Sequence, residues 1–229
     1  KNNWLPGPAP GSAARSTPGC ARIPIARDDF ELHQTEGLTD AAVCLLLDLS
    51  GSMMRFGRFY YAKQVALGLA SLMRDRYPLD TIDFIGFSSV AEPIREMELP
   101  LAMPKPVTIR DPVVRLRADM SDPEISESMI HPHFTNIQHA LSLARRQLAG
   151  ADTPNKQIVL FTDGLPTAHF ENDPGAGDAQ GFLYLMYPPD PVTERATLRE
   201  AMACKREGIT INIFLLPSWS QDEDDIAFA

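Results

Sequence analysis

The chain has 229 residues, 44% of them hydrophobic and 22% charged, the make-up of one globular domain plus extensions. Its longest apolar stretches, near residues 41–47 and 209–216, are less than half of the roughly 20 residues a membrane-spanning helix needs, so no membrane crossing is expected. A formal charge of −9, from 30 acidic against 21 basic side chains, repels phosphate backbones and argues against nucleic acid as the main partner.

Cysteines Cys20, Cys44 and Cys204 are widely spaced and odd in number, which suits neither a disulfide framework nor a zinc clip. A reducing, cytoplasmic compartment fits them. Residue 1 is Lys, and no basic segment leads into an apolar one before a small-residue cleavage site, so no signal peptide is read.

Residues 1–38 read as an arm or linker, with Pro6, Pro8, Pro10, Pro18 and Pro24 and little that could build a core, and residues 39–229 read as the folded domain. Ala41-Ala-Val-Cys-Leu-Leu-Leu47 is a continuous apolar run, suited to a central parallel strand covered on both faces. From Arg58 to Arg76, Ala62, Val65, Ala66, Leu69, Leu72 and Met73 recur at helical spacing, and Pro78 closes the segment. A strand is expected at Ile82–Phe87 and a weaker edge strand at Glu92–Leu99, where Pro93 removes a ladder donor. The proline-rich residues 100–132 read as irregular chain, too long for a plain connection and therefore a candidate for function.

Helical spacing returns at Ile137, Leu141, Ala144 and Leu148, with Gly150 as a stop. Gln157–Thr162 reads as a buried strand ending at Asp163-Gly164, and residues 171–191 as a long surface loop. A helix is expected over Thr193–Glu207, with Gly208 as its C-terminal cap, and a strand over Ile209–Leu216. Strands alternating with helices predict a parallel α/β sheet with right-handed crossovers.

In such a sheet the loops at the carboxyl ends of the strands line the ligand crevice. Asp48, Ser50 and Ser52 lie at spacing i, i+2, i+4 where the first strand runs out, and a near-extended chain would turn all three the same way. Asp163 ends a later strand, and Thr135 precedes a helix, so all five can meet at one edge. Two carboxylates and three hydroxyls are the hard, all-oxygen ligation preferred by Mg²⁺, Ca²⁺ or Mn²⁺ over zinc, and Mg²⁺ is the first choice. At most two negative charges leave a divalent cation incompletely neutralised and able to attract a carboxylate from outside, which favours docking over catalysis.

These residues resemble the von Willebrand factor A (VWA) domain with its metal-ion-dependent adhesion site (MIDAS), a pattern of Asp-x-Ser-x-Ser, a distant Thr and a distant Asp. Asp48-Leu-Ser50-Gly-Ser52, Thr135 and Asp163 match it in order, and the resemblance spans roughly residues 40–220. It implies a Rossmann-like, doubly wound, mostly parallel sheet flanked by helices. It also implies that the hydroxyls coordinate the metal, that the two Asp bind it directly or through water, and that a partner Glu or Asp completes the octahedron.

The stretches Asp48–Met53, Phe134–Leu141, Lys156–Gly164 and Tyr187–Asp190 look closest to intracellular bacterial VWA proteins that accompany AAA+ ATPases of the MoxR or magnesium-chelatase type. That likeness implies a partnership in metal insertion or remodelling, and no enzymatic activity of the domain itself. The same fold normally closes with one more strand and helix than the sequence up to Ala229 supplies, which would leave a sheet edge exposed or filled by another chain.

An alternative reading is a metal-dependent hydrolase or phosphotransferase of the haloacid-dehalogenase type with Asp48 as nucleophile. Ser50 stands where that chemistry needs an acid–base Asp. Leu49-Ser50-Gly51 lacks the glycines of a serine-hydrolase elbow, and no Walker lysine appears. His131, His133 and His139 read as loop and surface histidines beside the docking face, and Asp222–Asp225 as a solvated acidic run. Met53 and Met54 fit either rim contacts or packing. Arg55 and Arg58 would add attraction for an acidic partner group.

Overall fold

The computed structural model describes residues 40–171 and 181–216. The proline-rich arm with Cys20, the middle of the 171–191 loop and the acidic run at Asp222–Asp225 lie outside the described residues.

Strand β1 (Ala41–Asp48) has all eight residues buried, as its apolar run requires. It pairs in parallel with β2 (Thr81–Phe87) on one side and β5 (Asn155–Thr162) on the other. Strand β8 (Ile209–Leu215) extends the sheet in parallel beyond β5, and β3 (Ala91–Ile94) closes the other edge antiparallel to β2. The order is β3-β2-β1-β5-β8, a mostly parallel sheet.

Side chains alternate across β1 and feed two cores. Val43, Leu45 and Leu47 join the first core with Phe59, Ala62, Ala66, Ala70 and Met73 of helix α1 (Arg58–Arg76). Ala42, Cys44 and Leu46 join the second with Ile137, Leu141, Ala144 and Leu148 of helix α2 (Ile137–Ala149) and Cys204 of helix α3 (Pro191–Arg206). Each fully buried leucine contributes roughly 1.5–3 kcal/mol relative to exposure. The sheet is thus covered on both faces, a Rossmann-like α/β arrangement, as its sequence predicts.

The α2 stripe is buried as expected. On α1 the buried face includes Phe59 and Ala70, while Val65 and Leu72 of the predicted stripe are half exposed. Asp190 caps α3 by accepting from Val192 N at 2.9 Å, and Gly208 after it is left-handed at φ 76°.

Two stretches depart from the sequence reading. Residues 100–132 contain strand β4 (Val114–Asp119), and the predicted surface loop 171–191 contains strand β7 (Phe182–Tyr187). With β6 (Ala168–Glu171) they form a separate antiparallel sheet, order β4-β7-β6. Its inner face packs Val114, Phe170, Leu183 and Leu185 around Ile130 and Phe134. Pairing across it spans many intervening residues, so local prolines and glycines hid it. The edge strand expected over residues 92–99 stops at Ile94 and gives way to a 3₁₀ turn over Glu96–Leu101.

Candidate metal centre

The carboxyl ends of β1 and β5, neighbours in the sheet, deliver Asp48 and Asp163 to one place. Asp48 is fully buried. Its Oδ1 accepts from the Ser50 backbone N–H at 2.8 Å, and its Oδ2 accepts from Thr162 Oγ1 at 2.6 Å. The first contact bends the chain as it leaves β1, the turn that aspartate side chains favour. A 3₁₀ segment (Gly51–Gly57) follows. Ser52 therefore reaches the cluster from a turn and not along an extended strand, as the i, i+2, i+4 spacing had suggested.

From there the oxygens link in series. Ser50 Oγ and Ser52 Oγ lie 3.0 Å apart, and Ser52 Oγ donates to Asp163 Oδ1 at 2.8 Å. The second oxygen of Asp163 accepts from Nη1 of Arg58, a buried ion pair. Four of the five predicted residues are thus joined by direct hydrogen bonds, with Thr162 as a further member. Thr162 follows from position alone, as the residue of β5 just before Asp163 and beside the end of β1.

Thr135 is buried but is not bonded into this chain of oxygens among the described residues. Its loop is tied to the Gly51 turn and to two other segments. Gly51 N donates to His133 O at 3.0 Å, Asn136 N to Ser88 O at 2.8 Å, and Thr135 N to Thr167 Oγ1 at 2.9 Å. The 100–132 segment also bears on the site, through Lys105 N donating to Leu49 O at 2.7 Å. A Cβ at Gly51 would meet Val107 Cγ2 at 2.5 Å and His133 Cβ at 3.1 Å, so glycine is what lets these strands of chain close over the turn.

Burial, and next the charge of Asp163, push the Asp48 carboxyl up to about 7, against hydrogen bonds from Thr162 and Ser50 that pull it down. The one guanidinium bonded here pairs with Asp163, so among the described residues two acids are set against one bonded cation. The donors are all oxygen. Among the described residues no group of three or more His, Cys, Asp or Glu is placed to hold a metal. The arrangement suits a hard cation that accepts hydroxyl ligands and suits a soft one poorly.

Other residues singled out from the sequence fall into place around it. Met53 is fully buried, while Met54 and Phe56 are exposed. Thr108 Oγ1 lies 2.8 Å from His131 Nδ1 and 3.2 Å from His133 Nδ1, and His139 Nδ1 accepts from Ala91 N at 3.0 Å. A cleft of about 620 Å³ opens beside Leu49, lined by Ser88, Ser89, Lys105, Thr108 and His131. Cys44 and Cys204 are free and buried, and burial pushes both thiols up. No helix among the described residues is long and apolar enough to cross a membrane.

The fold is that of a vWA domain, a class of protein-interaction and adhesion modules. The chain belongs to the family described as "Rv0959-like protein, vWA domain", which it matches over residues 41–229. It is 32% identical over 197 residues to the uncharacterized protein Rv0959 of Mycobacterium tuberculosis, covering 86% of this chain and 25% of that protein. The uncharacterized protein Mb0984 of Mycobacterium bovis matches to the same extent. The chain therefore spans about a quarter of the length of the curated relatives it matches.

Among solved structures, the PilB minor pilin from Streptococcus sanguinis aligns with a TM-score of 0.55 at 16% identity, covering 84% of this chain and 53% of that one. The pilus adhesin SpaC from Lactobacillus rhamnosus GG aligns with a TM-score of 0.51 at 17% identity, covering 78% and 25%. At these identities the likeness is one of fold.

Proposed function

We propose that the chain is a metal-dependent protein-interaction module whose MIDAS is formed by Asp48, Ser50, Ser52, Thr135 and Asp163. The observation that supports this reading best is the hydrogen-bonded series Asp48, Ser50, Ser52, Asp163, which joins side chains from two neighbouring strand ends. Mg²⁺ is the first candidate, with Mn²⁺ and Ca²⁺ as the others. Bound there, such an ion would supply a Lewis-acidic centre with charge left over for an incoming carboxylate.

The protein's own residues do the rest. Asp48 and Asp163 provide the negative charge, the hydroxyls of Ser50, Ser52 and Thr135 provide neutral oxygens, and Thr162 and Ser50 N–H hold the Asp48 carboxylate in one orientation. The turn at Gly51, clasped by the Lys105–Val107 segment and the His133 loop, fixes the two serines. A pre-set geometry of this kind lowers the ordering cost of binding. The partner in this reading is a cytoplasmic protein presenting Asp or Glu, with a MoxR-type AAA+ ATPase as the class suggested by the sequence resemblance.

The test is calorimetry with Mg²⁺ on the wild type, Asp48→Ala and Thr135→Ala, with circular dichroism as the check on folding. Both substitutions are expected to weaken Mg²⁺ binding by about 10-fold or more, on the scale of losing one charged or coordinating group, with the fold intact. Unchanged Mg²⁺ binding in both would contradict the reading.

A further inference from the structure

We propose that Arg58 sets the charge of this site, weakening its hold on the metal and strengthening its hold on the partner's carboxylate. The inference rests on the metal-dependent reading above and adds to it a residue that chooses what the site captures.

Arg58 begins helix α1 and is only 8% exposed. It donates to Asp163 Oδ2, its Nε is buried without a hydrogen-bond partner among the described residues, and its guanidinium lies 5.5 Å from the centroid of the Phe56 ring. Phe56 is held in the left-handed region at φ 57°, with Gly57 after it at φ 69°. A bulky side chain rarely adopts that conformation. The fold thus accepts both backbone strain and an unmet buried donor at this place. An arginine kept for stability alone would be paired more fully, as replacing a buried ion pair by apolar groups is often neutral or stabilising.

Counting charges gives the reason to keep it. With both acids ionised, two carboxylates and one guanidinium give the cluster one negative charge. A divalent cation turns that into one positive charge, which a single carboxylate from a partner cancels. Without the guanidinium the loaded cluster would already be neutral. Arg58 therefore repels the cation and attracts the acid, and the two effects have opposite signs. A merely structural role would move both affinities in the same direction.

The experiment uses the 229-residue chain with Mn²⁺ as the metal and acetate as the carboxylate probe. Mn²⁺ affinity is read by calorimetry, and acetate entry by the fall in water-proton relaxivity of the bound Mn²⁺. For Arg58→Gln the expected result is Mn²⁺ binding about tenfold tighter and acetate half-saturation about tenfold higher, the scale of one nearby charge after solvent screening. Arg58→Met, an apolar replacement of similar length, should show the same opposite pair and guards against misfolding of the Gln variant. Arg58→Lys keeps the charge and should stay within about threefold of wild type in both, by the same electrostatic argument.

Parallel weakening of both affinities, or no change in either, would overturn the proposal. Wild-type protein that binds Mn²⁺ but never admits acetate would overturn it while sparing the metal site. Wild-type protein that binds no Mn²⁺ would instead sink the metal-dependent reading itself, and this inference with it.

Discussion

Two places in the molecule set an arginine against two acids, and they are built in opposite ways. On the seam between α2 and α3, Arg145 donates from Nε to Glu200 at 2.7 Å and from Nη1 to Glu207 at 2.8 Å. Both acids touch the guanidinium, which they push well above its ordinary range. Nearby buried polar groups are matched too, as His169 Nδ1 lies 2.9 Å from Thr193 Oγ1 and Thr197 Oγ1 donates to Thr193 O at 3.0 Å. At the strand ends, Arg58 reaches Asp163, and among the described residues fully buried Asp48 is held by the neutral donors Ser50 and Thr162. The first cluster is finished as it stands. The second leaves a fully buried acid bonded to neutral donors, the arrangement that the proposed binding role requires.

Breaking the finished cluster should cost stability and leave the site alone. Glu200→Gln weakens the bond to Arg145 in a mostly buried position, with an expected loss of about 1–2 kcal/mol. Urea unfolding should show this while calorimetry finds Mg²⁺ binding unchanged. A drop in Mg²⁺ affinity would mean that the two regions are coupled and that the contrast drawn between them is false.

A smaller effect should follow from pH. Burial holds the His169 imidazole below its ordinary value, with Glu171 and Asp190 opposing and Arg199 adding. A lowered folded-state value means that the unfolded chain takes up the proton first. The contribution is therefore fully present above about pH 6.5 and fades on acidification below it. His169→Gln should flatten the fall in stability between about pH 6.5 and 5. An identical slope in the variant would assign that fall to other groups.

Much of this was legible in the residues themselves. The apolar run of β1 announced a strand covered on both faces, and the Ile137, Leu141, Ala144, Leu148 stripe announced α2, because each is a local pattern set by one dominant burial. The antiparallel sheet was not. Val114-Arg-Leu-Arg-Ala118 does alternate, but β4 finds its partner β7 only after α2 and β5 have intervened, and prolines around both strands mimic a loop. The site divides in the same way. Strand-end position picked out Asp48 and Asp163, whereas the bond from Arg58 to Asp163 joins residues 105 apart in the chain and depends on how α1 is seated. Spacing alone could mark Arg58 as a nearby cation but not as the ion-pair partner of a buried acid.

The most direct test of the proposed binding role is thermal unfolding of wild type and Asp48→Asn, each with chelator and with saturating Mg²⁺. An asparagine keeps an acceptor for Ser50 N–H and can donate to Thr162 Oγ1, so the turn survives while the uncompensated charge is removed. The account predicts that in chelator Asp48→Asn melts roughly 2–6 °C above wild type. Mg²⁺ at about 100 times its Kd should raise wild type by about 2.7 kcal/mol and leave the variant almost unmoved. A variant less stable than wild type in chelator, yet equally stabilised by Mg²⁺, would contradict it.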